Sequence, residues 1–162
     1  MLGPPVPLTA DEEAFLRAFG RALLAVPRAF DADLVRAQGM SMTEYSVLMF
    51  LSEAVDRKLR MSELAAVCTL SISGMTRVVD RLQGQGLVRR EPCPADRRGW
   101  NAVLTDAGLD RLRQAWPTHL ASARRHVFDH LREADLPAFT AALRRFAADV
   151  PCTEAVRGCD GG

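Results

Sequence analysis

The chain has 162 residues, 48% apolar and 25% charged, with a formal net charge of +1. That size and mix suit a single soluble domain with one buried core, and no apolar run approaches membrane-spanning length. The four cysteines (Cys68, Cys93, Cys152, Cys159) show no CxxC spacing, which argues against a disulfide framework or a zinc ribbon. The first residues hold no basic segment followed by an apolar one, so a cytoplasmic location is expected.

GPPVPL at 3–8 cannot be helical and reads as a loose arm. Thr9 or Asp11 caps a first helix in which Phe15, Phe19, Leu23, Phe30 and Leu34 recur at helical spacing; Pro27 predicts a kink and Gly39 the end. A second helix follows Ser41 or Thr43, with Tyr45, Leu48, Met49 and Leu51 as its apolar face, and fades near Asp56. Ser62 opens a short third helix, SELAAVC. Thr69 and Ser71 then flank a tight turn into a fourth, whose Met75, Val78, Val79 and Leu82 face inward and which Gly84 and Gly86 close. LVRRE reads as a short strand stopped by Pro92 and Pro94, and Trp100 to Leu104 alternate as the returning strand. Thr105 caps a long fifth helix with Leu109, Leu112, Trp116, Leu120, Val127 and Leu131 inside and Pro117 as a site for a bend. Asp135 and Pro137 start a sixth carrying Phe139, Leu143 and Phe146, and the tail after Pro151 reads as frayed.

The expected fold is mainly α: six helices with a two-stranded β-hairpin wing, a winged helix-turn-helix. It is a single domain over 1–162, with a DNA-binding lobe at 43–104 and dimerisation helices at 10–38 and 105–150. The charge supports it. Residues 57–98 hold nine basic side chains against four acidic ones, so this segment is +5 and the remainder −4. Such asymmetry points the basic part at a polyanion, here double-stranded DNA. The fourth helix suits the major groove. Ser71, Ser73 and Gly74 at its start let backbone amides approach phosphate, and Thr76, Arg77 and Arg81 lie off the apolar stripe. Arg77 is the candidate to read a guanine edge with its two-pronged head. In DRRGWNAVLTDAG, Arg97 and Arg98 sit near the hairpin tip, where a guanidinium fits a narrow minor groove, with Asp96 orienting one of them; Arg90 adds charge at the wing's base. The bland alternatives are solvated loop charges and, for Arg77 or Arg81, pairing with Asp80.

In order along the chain, MTEYSVLMFL, MSELAAVCTLSISGMTRVVDRLQGQGLVRRE and DRRGWNAVLTDAG resemble the MarR family of bacterial transcriptional regulators. The family's wing motif, D-x-R followed by L-T-x-x-G, is matched by Asp96, Arg98, Leu104, Thr105 and Gly108; its V-D-R-L by Val79, Asp80, Arg81 and Leu82. The resemblance implies a homodimer with interlocking terminal helices, a pseudo-palindromic operator, usually repression, and often release by a small ligand or by oxidation. The apolar surplus on the first, fifth and sixth helices supports a homodimer independently, with Phe15, Phe19, Leu131, Phe139, Leu143 and Phe146 as interface candidates.

Phe19, Tyr45, Met49 and Trp116 are either ordinary core or the lining of a cavity for a small aromatic or lipophilic effector. His119, His126 and His130 share one face of the fifth helix, a spacing that allows metal chelation or a pH-sensitive interface. No acidic or cysteine partner for them is obvious, and a site needs three or four ligands, so no metal and no cofactor are expected. Cys68 is expected to pack behind the third helix and Trp100 to pack the wing onto the body. Cys93 is the thiol best placed for a redox response. No nucleophile elbow, HExxH, P-loop or dinucleotide fingerprint appears, so an enzyme is not expected. The competing readings are a thiol-redox or metal-responsive regulator of the same fold, and a winged-helix module for protein contacts.

Overall fold

The computed structural model describes residues 6–93 and 96–149, the side chains of 96–98 and 147–149 excepted. Helix α1 (Ala10–Gln38) begins in a capping box: Thr9 Oγ1 accepts from the Glu12 amide at 3.3 Å, and Glu12 Oε2 accepts from the Thr9 amide at 2.8 Å. It runs unbroken through Pro27 to Gly39, whose positive φ of 61° forms the left-handed C-terminal cap. Helix α2 (Met42–Glu53) repeats the device with Ser41 and Glu44, and Asp31 Oδ1 of α1 accepts from the Met42 amide at 2.8 Å.

A strand that the sequence pattern does not announce comes next. β1 (Lys58–Arg60) pairs antiparallel with β3 (Asp96–Leu104), which also pairs with β2 (Val88–Cys93), so the sheet has three strands in the order β1-β3-β2. Three residues are too few to show an alternation, which is why the expected two-stranded hairpin is a three-stranded sheet. Pro92 does not stop β2. It lies on an edge strand, where a missing N–H need not break the ladder, and the register shifts between Pro92 and Cys93. Between β1 and β2 stand α3 (Met61–Val67) and α4 (Ile72–Gly84). Their turn is closed by the Leu70 amide donating to the Ala65 carbonyl at 2.8 Å, with Thr69 in the left-handed region at φ 52°. The core lies beneath this lobe, with Tyr45, Leu48, Leu51, Leu64, Met75, Val79 and Leu82 all fully buried.

Helix α5 (Asp106–His126) departs from its expected face. Its buried residues are Gly108, Leu112, Ala115 and Ser122, whereas Trp116 and Leu120 are 47% and 45% exposed. Gly108, Ala115 and Ser122 are seven apart, a small-residue seam that lets neighbouring backbone come close. A methyl on Gly108 would strike the Leu87 carbonyl oxygen and come within 2.7 Å of Leu104 Cδ1. Val127 and Leu131, expected inside the helix, lie beyond it, on either side of a 3-10 turn at Phe128–His130. Helix α6 (Leu136–Asp149) starts where Asp135 accepts from the Ala138 amide at 3.0 Å.

Where α1 crosses α5, the buried Asp33 gathers a network. Its Oδ2 accepts from Ser122 Oγ at 2.8 Å and meets His126 Nε2 at 2.9 Å, with Arg125 at 3.5 Å; Arg36 lies 3.4 Å from Oδ1. The Ser122 hydroxyl first, and His126 second, hold the Asp33 carboxyl below its ordinary pKa. The three histidines therefore do not form one ligand face. His126 serves Asp33, His119 stacks on Tyr45 with centroids 4.6 Å apart, and His130 lies in the 3-10 turn. Among the described residues no cluster of three potential ligands could hold a metal.

Because backbone occupies the space beside Gly108, Gly108→Ala should lower unfolding free energy by roughly 3 kcal/mol in urea titration, as for an overpacked site. The Asp33 network makes a prediction of a different kind. A lowered carboxyl pKa stabilises the fold above the unfolded value and loses that contribution as pH falls through the native one. Asp33→Asn should therefore be less stable than the parent at neutral pH and lose less stability between about pH 5 and pH 3. Parallel acid limbs in urea midpoints would show that Asp33 contributes no pH dependence.

Candidate nucleic-acid interface

The exposed side of α4 is polar except at its start, where Ile72 is 62% exposed. Ser71 is spent on the helix itself: its Oγ accepts from the Gly74 amide at 3.1 Å and lies 3.1 Å from Ser73 Oγ. Gly74 leaves little room for a side chain, since a methyl would sit 3.2 Å from Ser71 Oγ. Thr76 turns its hydroxyl back onto the Ile72 carbonyl at 2.9 Å. Ser73 and Arg77 remain exposed, one turn apart on the same face.

Four of the segment's seven described basic side chains are paired with carboxylates within the fold. Arg81 Nε lies 3.3 Å from Glu44 Oε1, Arg90 lies 2.6 Å from Asp80 and donates to the Thr76 carbonyl at 3.3 Å, Arg57 lies 2.9 Å from Asp106, and Arg89 pairs with Glu91. Arg60 donates to Cys93 Sγ at 3.2 Å. The side chains of Arg77 and Lys58 have no hydrogen bond or ion pair among the described residues. The internal pairing open to Arg77 or Arg81 thus falls on Arg81, with Glu44 as the partner; Asp80 takes Arg90.

A cleft of about 780 Å³ opens between α3, α4 and the sheet, lined by Arg60, Ser62, Ile72, Thr76, Arg90 and Trp100. Trp100 is half exposed there, so it forms a wall of the cleft rather than a buried anchor for the wing. Arg60, Ser62 and Ile72 join the site from the structure alone; the sequence signal for them is the exposed apolar Ile72 at the start of a polar helix face. Asp96, Arg97 and Arg98 belong to β3 by backbone, and the roles expected of their side chains lie outside the described residues.

A second cavity, about 290 Å³, lies between α2 and α5. Tyr45, Met49 and Trp116 line it together with Ser52, Glu53, Leu112 and Arg113. Phe19 does not line it, stacking instead on Phe15 at 5.6 Å and meeting Phe146 edge-on at 6.0 Å. The Tyr45 hydroxyl is buried without a partner, and burial, with the charge of Glu53, pushes its pKa up to about 12. Burial also lifts the Cys68 thiol to about 11, which keeps it protonated and unreactive, whereas Cys93 is buried beside Arg60. Cys152 and Cys159 lie outside the described residues.

Phe15 is 51% exposed, and Leu16, Leu23 and Leu24 on α1 are exposed with it, as are Leu136, Phe139, Leu143 and Phe146 on α6. Leu131 is half-buried. Among the described residues no helix is long and apolar enough to cross a membrane.

Residues 38–99 match the family model described as MarR family. The fold is similar over nearly its whole length to Sco3205, a MarR family transcriptional regulator from Streptomyces coelicolor solved in complex with DNA. Identity is 36%, coverage 93% of this chain and 94% of that one, and the TM-score 0.83. AbsC, another MarR family regulator from the same organism, is 36% identical over 89% of this chain and 97% of its own, with a TM-score of 0.79. Among curated proteins, the HTH-type transcriptional regulator MhqR of Bacillus subtilis is 29% identical over 68% of this chain and 74% of its own length. The transcriptional repressor MprA of Escherichia coli is 30% identical over 52% of this chain and 48% of its own. With the helix-turn-helix, the wing and a full-length match in place, the chain belongs to the MarR family of transcriptional regulators.

Proposed function

We propose that the protein is a homodimeric, sequence-specific repressor that binds a pseudo-palindromic operator in double-stranded DNA and is released when a small molecule occupies the cavity between α2 and α5. One observation carries the DNA reading. On a helix whose other arginine is tied to Glu44, Arg77 stands exposed and unpartnered among the described residues, on the face that a winged helix-turn-helix presents to the major groove. Its neighbours have complementary chemistry, with the Ser73 hydroxyl suited to a phosphate oxygen and Ile72 to the methyl group of a thymine. Arg97 and Arg98 carry the minor-groove contact of the wing, with Asp96 holding one of them in place.

The apolar residues exposed on α1 and α6 support the dimer. A contiguous patch of that kind on a soluble chain marks an association surface, and a second copy supplies the same surface in return. Two-fold pairing sets the two α4 helices toward successive major grooves, roughly 34–36 Å apart.

The test is titration of the protein against DNA from its own upstream region, with a scrambled duplex as control, over a series of salt concentrations. Specific binding at two protomers per site is expected. Arg77→Ala should relax the preference at one base pair per half-site by ~1–3 kcal/mol, and Arg98→Ala should lower affinity for all sequences and flatten the salt dependence by about one phosphate contact. A uniform loss from Arg77→Ala would reduce Arg77 to a phosphate contact. Absence of binding to either duplex at low salt would favour an acidic protein as the partner of the wing.

A further inference from the structure

The cavity between α2 and α5 has aromatic walls and two charged side chains that differ in their partners. Tyr45 is fully buried, Trp116 is about half exposed, and Met49 adds a polarisable thioether. Two charged side chains line it. Arg113 is answered by Asp110 at 3.0 Å on its own helix. Glu53 is exposed, and its carboxylate has no hydrogen bond or ion pair among the described residues. It is also the last residue of α2, whose final turn carries no basic side chain. Its carboxylate therefore adds to the negative end of the helix dipole, where a cation is favoured and an anion disfavoured. The placement does nothing for the helix, so the uncompensated charge is available to something else.

The interior answers in the same sense. His119 packs on Tyr45 and against Trp116, and burial lowers its pKa, so it brings no positive charge to the wall. The field of Glu53 reaches the Tyr45 phenol, whose buried oxygen has no partner and is free to accept a hydrogen bond.

We propose that this cavity selects an aromatic or lipophilic organic cation, its positive head set against Glu53 and the exposed ring of Trp116. The inference rests on the reading of the cavity as the effector site. An aromatic face beside an unpaired carboxylate attracts an ammonium both by quadrupole and by charge, whereas an aromatic carboxylate would meet Glu53 and the helix end with like charge.

The experiment is calorimetric titration of the full chain with three probes of similar build: benzyltrimethylammonium, neutral benzamide and the phenylacetate anion. The ammonium should bind at least about ten-fold more tightly than either of the others and weaken DNA binding. Glu53→Gln should abolish that advantage while leaving benzamide binding unchanged; Glu53 is exposed at a helix end, so the variant keeps the core intact. Equal or tighter binding of benzamide or phenylacetate, or an advantage that survives Glu53→Gln, would overturn the cation preference and leave the effector site standing. If none of the three bound and DNA affinity ignored them all, the cation preference and the effector site would fall together.

Discussion

The structure turns on the point where β3 becomes α5. Thr105 connects several segments there, its hydroxyl also lying 3.0 Å from the Leu87 carbonyl. Its amide donates to the Leu87 carbonyl at 3.1 Å, its hydroxyl lies 2.8 Å from the Gly86 carbonyl, and its Oγ1 accepts from the Gly108 amide at 3.0 Å to cap α5. Gly108 completes the joint by having no side chain where the Leu87 carbonyl approaches. One threonine and one glycine thus fix the end of α4, the start of β2, the end of β3 and the direction of α5 relative to one another. This is the physical content of the L-T-x-x-G pattern. Leu104 closes the core, Thr105 ties two chain segments while capping a third, and Gly108 permits the approach. The position of the reading helix and the direction of the long helix away from the sheet are consequences of that joint.

Given that frame, charge pairing decides which arginines are available. An exposed ion pair contributes only about 0–1 kcal/mol, so the pairs of Arg57, Arg89 and Arg90 add little to stability. Their effect is on orientation. Arg90, tied to Asp80 and the Thr76 carbonyl, joins β2 to α4, and Arg57, tied to Asp106, joins the approach to β1 with the start of α5. Arg81 differs, because its partner Glu44 is nearly buried and is itself committed to the cap of α2 at Ser41. A charge anchored in that way holds α4 to α2 and is withdrawn from the solvent face. Arg77 is left as the proposed reading head by subtraction as much as by position.

The winged fold is legible in the sequence because its signals are local. Caps at Thr9, Ser41 and Thr105, the inward stripe of α4 and the alternation before Leu104 each need only a few neighbouring residues. What escapes depends on contacts far apart in the chain. β1 is three residues long and is defined only by its pairing with β3. The buried face of α5 keeps the expected Leu112 but is otherwise made of Gly108, Ala115 and Ser122, residues that no count of large apolar side chains would choose, with Trp116 and Leu120 on the outside. Asp33 sits 93 residues from His126, so the three-histidine face can be read from spacing while the carboxylate that claims one of them cannot. At the candidate site, periodicity places Ser73, Thr76, Arg77 and Arg81 together on α4, and Glu44, which sorts Arg81 from Arg77, is invisible for the same reason of distance.

Helix α2 then connects the proposed effector cavity to the reading head. Its N-terminal end is held to α1 through Asp31 and to α4 through Glu44 and Arg81, and its C-terminal end supplies Met49, Ser52 and Glu53 to the cavity wall. Tyr45 lies between, next in sequence to Glu44, buried in the core where it borders the cavity. Fully burying each of Tyr45, Leu48 and Leu51 is worth about 1.5–3 kcal/mol, so α2 is held far more firmly than any exposed pair could hold it. A close-packed helix of this kind moves as a body rather than yielding locally. An occupant wedged between α2 and α5, as proposed, would act on Glu44 and, through it, on the pitch of α4. The long apolar faces of α1 and α6, where a second copy would bind, set the distance over which that change of pitch must match the DNA.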